Sequence, residues 1–253
     1  MTAVLTISEL AFSYPDRPAV ISGVSLSIRN GERVGVIGPN GAGKTTLFLL
    51  ACGIIKPLDG KIEVLGIPVR KGHFNPAVGM VFQQTSDQLI SPSVREDIAF
   101  GPRNMGLTES EVEKQVTSAA QAAGIAALLE RVPHHLSSGE QRLVALAGIL
   151  AMQPKLLILD EPTSDLDMRY RRRLIGLLTG MNDKTMIIAS HDLEFILETC
   201  SRVILLDQGM VQADSLPQQI MSDSCLMEKH GLEVPHSLTA AWHQHHGSDP
   251  SSR

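Results

Sequence analysis

The sequence predicts an α/β fold with a parallel core sheet, an antiparallel β layer and a helical subdomain. Three observations carry that prediction. Short apolar runs at 33–37, 156–160, 186–190 and 203–207 read as strands buried in a sheet, with helices between the later ones. Stretches 3–10 and 24–29 alternate apolar and polar residues, as strands covered on one face do. From about Ser93 to Met152 strand signals vanish and helical spacing replaces them. In such a sheet ligands bind at the C-terminal ends of the strands.

Taken in order, Val4 and Thr6 mark the first strand, and Val24 to Ile28 the second. Between them Phe12 to Pro18 reads as a loop because of Pro15 and Pro18. Residues 33–37 form a buried strand, and Lys44 to Cys52 continue as a helix with Leu47, Phe48, Leu50 and Ala51 on its apolar side. Residues 61–65 and 78–82 are further strands. Residues 108–123 and 139–152 carry helical spacing, with Leu143, Leu146 and Leu150 on one side. The run Leu156 to Asp160 has the continuous apolar character of a central parallel strand. Beyond about Ser222 order is less marked, and 242–253 is polar, His-rich and expected to be mobile. No internal repeat is visible.

The stretch joining 33–37 to the helix reads Gly38-Pro39-Asn40-Gly41-Ala42-Gly43-Lys44-Thr45-Thr46. It fits G-x-x-x-x-G-K-[ST] at every fixed position, and it sits between strand and helix as that motif requires. Its glycines allow a tight turn that aims backbone N–H groups and a helix N-terminus at a polyphosphate. Lys44 would reach the β- and γ-phosphates of a nucleoside triphosphate, and the Thr45 hydroxyl would ligate Mg²⁺. Asp160 and Glu161 end a buried strand, where one acid can serve the metal and the other can act as general base on water. His191 ends another strand, where an imidazole can donate to the γ-phosphate or orient water.

Composition excludes several alternatives. A formal net charge of −5 without a long basic block argues against a nucleic-acid groove. The longest apolar runs, 47–55 and 143–152, fall short of the roughly 18 residues that span a bilayer. No charged-then-apolar leader opens the chain, which predicts a protein that is not secreted. Cys52, Cys200 and Cys225 are far apart and odd in number, which fits a reducing cytosolic setting without disulfides or a zinc site.

Leu136-Ser137-Ser138-Gly139-Glu140-Gln141 resembles the L-S-G-G-Q signature of the ATPase subunits of ATP-binding cassette (ABC) systems, and the resemblance covers about residues 3–222. The hydroxyl of Ser137 and the N–H groups of Ser138 and Gly139 would form an anion site at a helix N-terminus. Ser137 and Glu140 also match an ordinary Ser-x-x-Glu helix cap. The resemblance implies that this segment meets the γ-phosphate held by a second ATPase subunit, identical or paralogous, so that two chains enclose two ATP molecules. Ser138 and Glu140 depart from the family pattern. By position, Tyr14 resembles the aromatic that stacks on adenine, and Gln83 the glutamine that touches Mg²⁺ and water and links nucleotide to helical subdomain. Ser164-Asp165-Leu166-Asp167 resembles the segment that contacts the facing subunit, usually S-A-L-D.

Asp87-Gln88-Leu89, Ser91-Pro92-Ser93-Val94 and Asp97-Ile98-Ala99-Phe100-Gly101-Pro102 resemble segments of the energy-coupling-factor branch of ABC importers. Within them Leu89-Ile90 reads as an exposed docking knob for integral-membrane transporter subunits. Pro133-His134-His135-Leu136 and His230 to Pro235 resemble the nickel/cobalt group of that branch. The implied protein is a peripheral ATPase at the cytoplasmic face of the membrane, using ATP and Mg²⁺. A vitamin importer of the same branch and a soluble, non-transport ABC ATPase are the alternatives. The expected organisation is an ATPase domain over 1–222, with the helical subdomain inserted at about 84–152, and a C-terminal extension over 223–253. His134 and His135 read as structural, and His243, His245 and His246 as part of an unstructured terminus rather than a metal site.

Overall fold

The computed structural model describes residues 3–239. The chain opens with a long hairpin, β1 (Ala3–Tyr14) and β2 (Arg17–Arg29), then enters the core through β3 (Arg33–Ile37) and α1 (Lys44–Ala51). It returns to the outer layer as β4 (Asp59–Val64) and β5 (Ile67–Pro68), and back to the core as β6 (Val78–Val81). Three helices follow: α2 (Val94–Asn104), α3 (Glu109–Ala122) and α4 (Ser138–Ala151). The rest alternates: β7 (Leu156–Asp160), α5 (Met168–Gly180), β8 (Thr185–Ala189), α6 (Leu193–Thr199), β9 (Arg202–Asp207) and β10 (Met210–Ser215). Two short helices, α7 (Pro217–Met221) and α8 (Ser224–Lys229), follow, and residues 236–239 are again helical.

The strands make two sheets. One is antiparallel, in the order β2-β1-β4-β5; the other runs β10-β9-β3-β8-β7-β6 and is parallel apart from β10. Leu156 and Ile158 of β7 join one apolar core, with α1 and the antiparallel sheet, whereas Leu157 and Leu159 join the other, with the helices. Both faces of this interior strand are therefore covered, which is why its sequence is apolar without alternation. Helix α1 lies between the two sheets, and Leu47, Phe48 and Leu50 have no exposed surface.

Three expectations need correction. Phe12 to Pro18 is mostly strand, with a tight turn at Pro15 and Asp16. Pro18 fits because β2 is the edge strand of its sheet, where a missing N–H breaks no necessary ladder bond. Leu89 is not part of an exposed knob: it is 3% exposed and packs in the helical core, while neighbouring Ile90 is 67% exposed. Order also continues past Ser222, where Asp223 caps α8 and Met227 is fully buried.

Candidate active site

The sheet order puts β3, β8 and β7 side by side and parallel, so the loops at their C-terminal ends converge. There a cavity of about 440 Å³ is lined by Lys44, Thr45, Gln83, Asp160, Glu161 and His191, with Asn40 to Gly43 forming one wall. The sequence-predicted groups of the phosphate loop and the two later strands thus meet in one place.

Helix α1 begins without a side-chain cap and without an acid in its first turn. Its N-cap is Gly43 at φ 106°, a conformation that suits glycine, and an added Cβ would come within 2.6 Å of the Val20 carbonyl oxygen. Its unpaired N–H groups and positive dipole end face the cavity, the arrangement that receives a phosphate. Gly38 is equally constrained, since a Cβ there would lie 1.9 Å from the Leu206 carbonyl oxygen. The Lys44 ammonium donates to the carbonyls of Gly38 at 2.7 Å and Pro39 at 3.1 Å. Burial lowers its pKa, opposed by the charges of Glu161 and Asp160.

Asp160 and Glu161 are 1% and 6% exposed. Burial pushes both carboxyls above the ordinary range. The Thr45 hydroxyl opposes the shift at Asp160, and the His191 backbone N–H opposes it at Glu161 by donating to Oε2 at 3.1 Å. One oxygen of each acid, Asp160 Oδ1 and Glu161 Oε1, is buried without a hydrogen-bond partner. His191 Nε2 lies 3.2 Å from that Glu161 oxygen but makes no hydrogen bond to it. Glu161 also holds φ at 46°, a strained backbone setting for a glutamate. The His191 pKa is lowered by burial and by the Lys44 charge. Orphaned buried oxygens are costly, so they mark where a ligand, ion or water completes the site. The oxygen donors Thr45, Gln83 and Asp160 have the hardness that Mg²⁺ selects, and the free Asp160 oxygen fits it.

Tyr14 does not line the cavity. It sits half-buried at the rim, edge-on to Phe12 with ring centroids 4.9 Å apart, its hydroxyl 3.4 Å from Thr46 Oγ1. Ser137, Ser138 and Gly139 are also absent from the cavity wall. They open α4, where Ser137 and Glu140 close a complete capping box: the Glu140 carboxylate accepts from Ser137 N–H at 2.9 Å and from its hydroxyl at 2.8 Å. The Ser138 hydroxyl donates to the Asp165 carbonyl at 3.4 Å, and Gly139 lies against the Tyr170 ring, 2.5 Å from where a Cβ would stand. Asp165 is exposed at φ 60°, and Asp167 caps α5 through Tyr170 N–H.

Two arginines were missed by sequence reasoning. Arg17 lines the cavity and donates to the Gly41 carbonyl at 2.8 Å. Arg142, 5% exposed, reaches from α4 to the carbonyls of Phe82 at 3.2 Å and Ser164 at 3.3 Å. A charged residue on the apolar face of α4 is the signal that could have exposed Arg142, because an arginine is rarely buried without a partner.

Among the described residues no cluster of three or more His, Cys, Asp and Glu side chains could hold a metal, and no helix is long and apolar enough to cross a membrane. His134 and His135 are exposed in a short turn before α4. His243, His245 and His246 lie outside the described residues. Burial pushes the Cys52 and Cys200 thiols up to about 12, so neither is a ready nucleophile.

Comparison with known proteins places these features in a family. The family model for ABC transporters matches residues 21–164. A putative ABC transporter ATP-binding protein of Synechocystis sp. is 51% identical over 92% of this chain and 82% of its own length. The energy-coupling factor transporter ATP-binding protein EcfA of Methanothermobacter thermautotrophicus is 42% identical over 92% of this chain and 77% of its own. Among solved structures, cbiO1 of Clostridium perfringens, described as part of the ABC transporter complex cbiONQ, superposes with a TM-score of 0.80 at 34% identity. That match covers 96% of this chain and 100% of cbiO1.

Proposed function

The chain belongs to the ABC transporter ATP-binding family, whose members hydrolyse ATP, and on that premise we propose that it is the motor subunit of an energy-coupling-factor importer for nickel or cobalt ions. The observation that carries the chemistry is one cavity holding an uncapped helix N-terminus, Lys44 and the buried pair Asp160 and Glu161. ATP is the substrate, its phosphates lying on the N–H groups of residues 38–46 with Lys44 on the β- and γ-phosphates. Thr45, Gln83 and Asp160 would hold Mg²⁺, which when bound neutralises charge on the phosphate oxygens.

Glu161 takes the proton of the attacking water on its free Oε1. Burial has raised its proton affinity, and the His191 N–H fixes its other oxygen. As the water oxygen bonds to the γ-phosphorus, the bond from that phosphorus to the ADP oxygen breaks. The His191 ring, beside Glu161 and at the open side of the cavity, donates to the departing phosphate or orients the water. Ser137, Ser138 and Gly139 do not line their own chain's cavity, which supports their serving the nucleotide of a facing ATPase subunit. ATP favours the closed pair through these added contacts, and product release reopens it.

A second cavity, of about 530 Å³, supports docking of an integral-membrane subunit. It is predominantly apolar, with Ile90 67% and Phe100 52% exposed at its edge. Its one acid, Asp97, fixes the Ile90 and Ser91 N–H groups with Oδ1 and so holds the turn that carries Ile90. Gln88 ties this groove to the nucleotide cavity, accepting at 3.2 Å from the N–H of Phe82, the residue before Gln83, and donating to the Met80 carbonyl at 3.1 Å. The peripheral position at the cytoplasmic membrane face follows from that docking. The relatives EcfA and cbiO1 support the branch, and the segments 133–136 and 230–235 support nickel or cobalt.

Mass spectrometry of what co-purifies with the chain from gently solubilised native membranes tests this reading. Small multi-helix membrane proteins, including a metal-capturing one, are the expected result. A vitamin-binding membrane protein would redirect the substrate, and recovery only with soluble or ribosomal partners would overturn the transport role.

A further inference from the structure

The C-terminal segment around α8 touches two residues, Asp207 and Glu194, in elements that back the phosphate loop and follow His191. His230 is 7% exposed, and its Nδ1 lies 2.8 Å from Asp207 Oδ2. Asp207 ends β9, and its other oxygen accepts from Gln208 N–H at 2.8 Å, pinning a turn in which Gln208 holds φ at 49°. That turn backs the phosphate loop. Gly209 N–H donates to the Ala42 carbonyl at 3.3 Å, its own carbonyl accepts from Ser22 N–H at 2.9 Å, and the Leu206 carbonyl abuts Gly38. Seven residues past His230, Ser237 clasps Glu194: its N–H donates at 3.0 Å and its hydroxyl at 2.6 Å. Glu194 stands in the first turn of α6, whose N-cap Asp192 follows His191 directly. Leu232 and Val234, between the two clasps, pack on the helical core.

We propose that His230 and Ser237 are positioning residues for ATP hydrolysis, one bracing the phosphate loop through Asp207 and the other bracing the His191 loop through Glu194. The two braces lie on one short segment, so a shift of α8 reaches both ends of the cavity. This goes beyond the motor reading and does not depend on which substrate is imported. The buried His230–Asp207 contact gives the segment 230–235 a physical role in the ATPase itself, separate from any metal.

The two contacts predict different kinetic losses, which a merely stabilising tail would not produce. In the full chain His230→Ala should weaken ATP binding about fivefold, measured by fluorescent-nucleotide titration, with kcat little changed. Asp207→Asn, which keeps the His230 ring, should weaken it in the same direction, and His230→Gln, which can still donate to Asp207, should restore it. Ser237→Ala should lower kcat about threefold at unchanged ATP affinity, and Ser237→Thr should recover it. Lys44→Ala, measured alongside, tests the phosphate-loop assignment separately. If the His230, Asp207 and Ser237 variants lower only the melting temperature and leave both Kd and kcat at parental values, the proposal is wrong.

Discussion

Two helices in this chain begin with the residue types that receive anions, and they begin in opposite states. Helix α1 starts at Gly43 with no side-chain cap and no acid in its first turn. Helix α4 has Ser137 as its N-cap, with the Ser137 N–H and hydroxyl engaged by the helix's own Glu140. An uncapped end is unfavourable alone and favourable with a phosphate on it, whereas a capped end is content without one. The first is therefore a binding site built within one chain. On the proposed reading the second awaits the nucleotide of a facing subunit, and a phosphate reaching it must compete with a carboxylate already there.

Variants at the open end should act most strongly. Lys44→Ala removes the one ammonium in the cavity wall and should weaken ATP binding roughly 100-fold by nucleotide titration, the scale of a lost buried charge partner. Unchanged affinity would remove α1 from the account. Arg142 ties α4 to the carbonyls of Phe82, next to Gln83, and Ser164, next to Asp165. Arg142→Met should retain ATP binding and cut turnover about tenfold, measured in the assembled complex. If α4 is held in reserve by its cap, Glu140→Gln should raise ATP-driven association of subunits about twofold to fivefold, the size of a charge effect at a helix N-terminus. A decrease measured by light scattering would show that Glu140 assists closure instead.

The same pair of regions predicts opposite responses to pH. At α4 the Ser137 N–H and hydroxyl hold Glu140 below the ordinary carboxylate value of 4.5, so its stabilisation is present above that value and lost as the pH falls through the lower, folded one. In the cavity, burial holds Glu161 above 4.5. Its stabilising contribution is present below 4.5 and lost as the pH rises through the folded value, where the buried carboxyl ionises. Glu161→Gln should therefore raise the melting temperature by about 3 °C at pH values above the folded pKa, with the gain disappearing below pH 4.5. A gain that persists in acid would assign it to packing.

Much of this was readable from the chain because local pattern and tertiary role agree. Residues 34–37 and 156–159 are apolar throughout because both faces of their strands are covered, and the phosphate loop needs its glycines wherever it occurs. Legibility failed where a local signal is overridden by context. Pro15 and Pro18 suggested a loop, yet an edge strand tolerates proline. Gly101 and Pro102 hid α2, which Ser93 caps and whose Val94 and Ile98 are buried. The polar strand β10 has no buried face strong enough to announce it. Arg17 on Gly41, Arg142 on Phe82 and His230 on Asp207 are pairings between distant parts of the chain, and no spacing rule reveals them. The capping box at Ser137 was legible as a pattern, but its completeness is a matter of geometry.

Hydrolysis with Glu161 as the base is tested most directly by measuring bound nucleotide and turnover on the same purified membrane complex carrying Glu161→Gln. Removing a general base costs roughly 100-fold to 10,000-fold in rate while leaving the Lys44 and backbone contacts to ATP intact. The expected result is full ATP occupancy with turnover reduced by that factor. Full occupancy with parental turnover would contradict the chemistry assigned to this cavity.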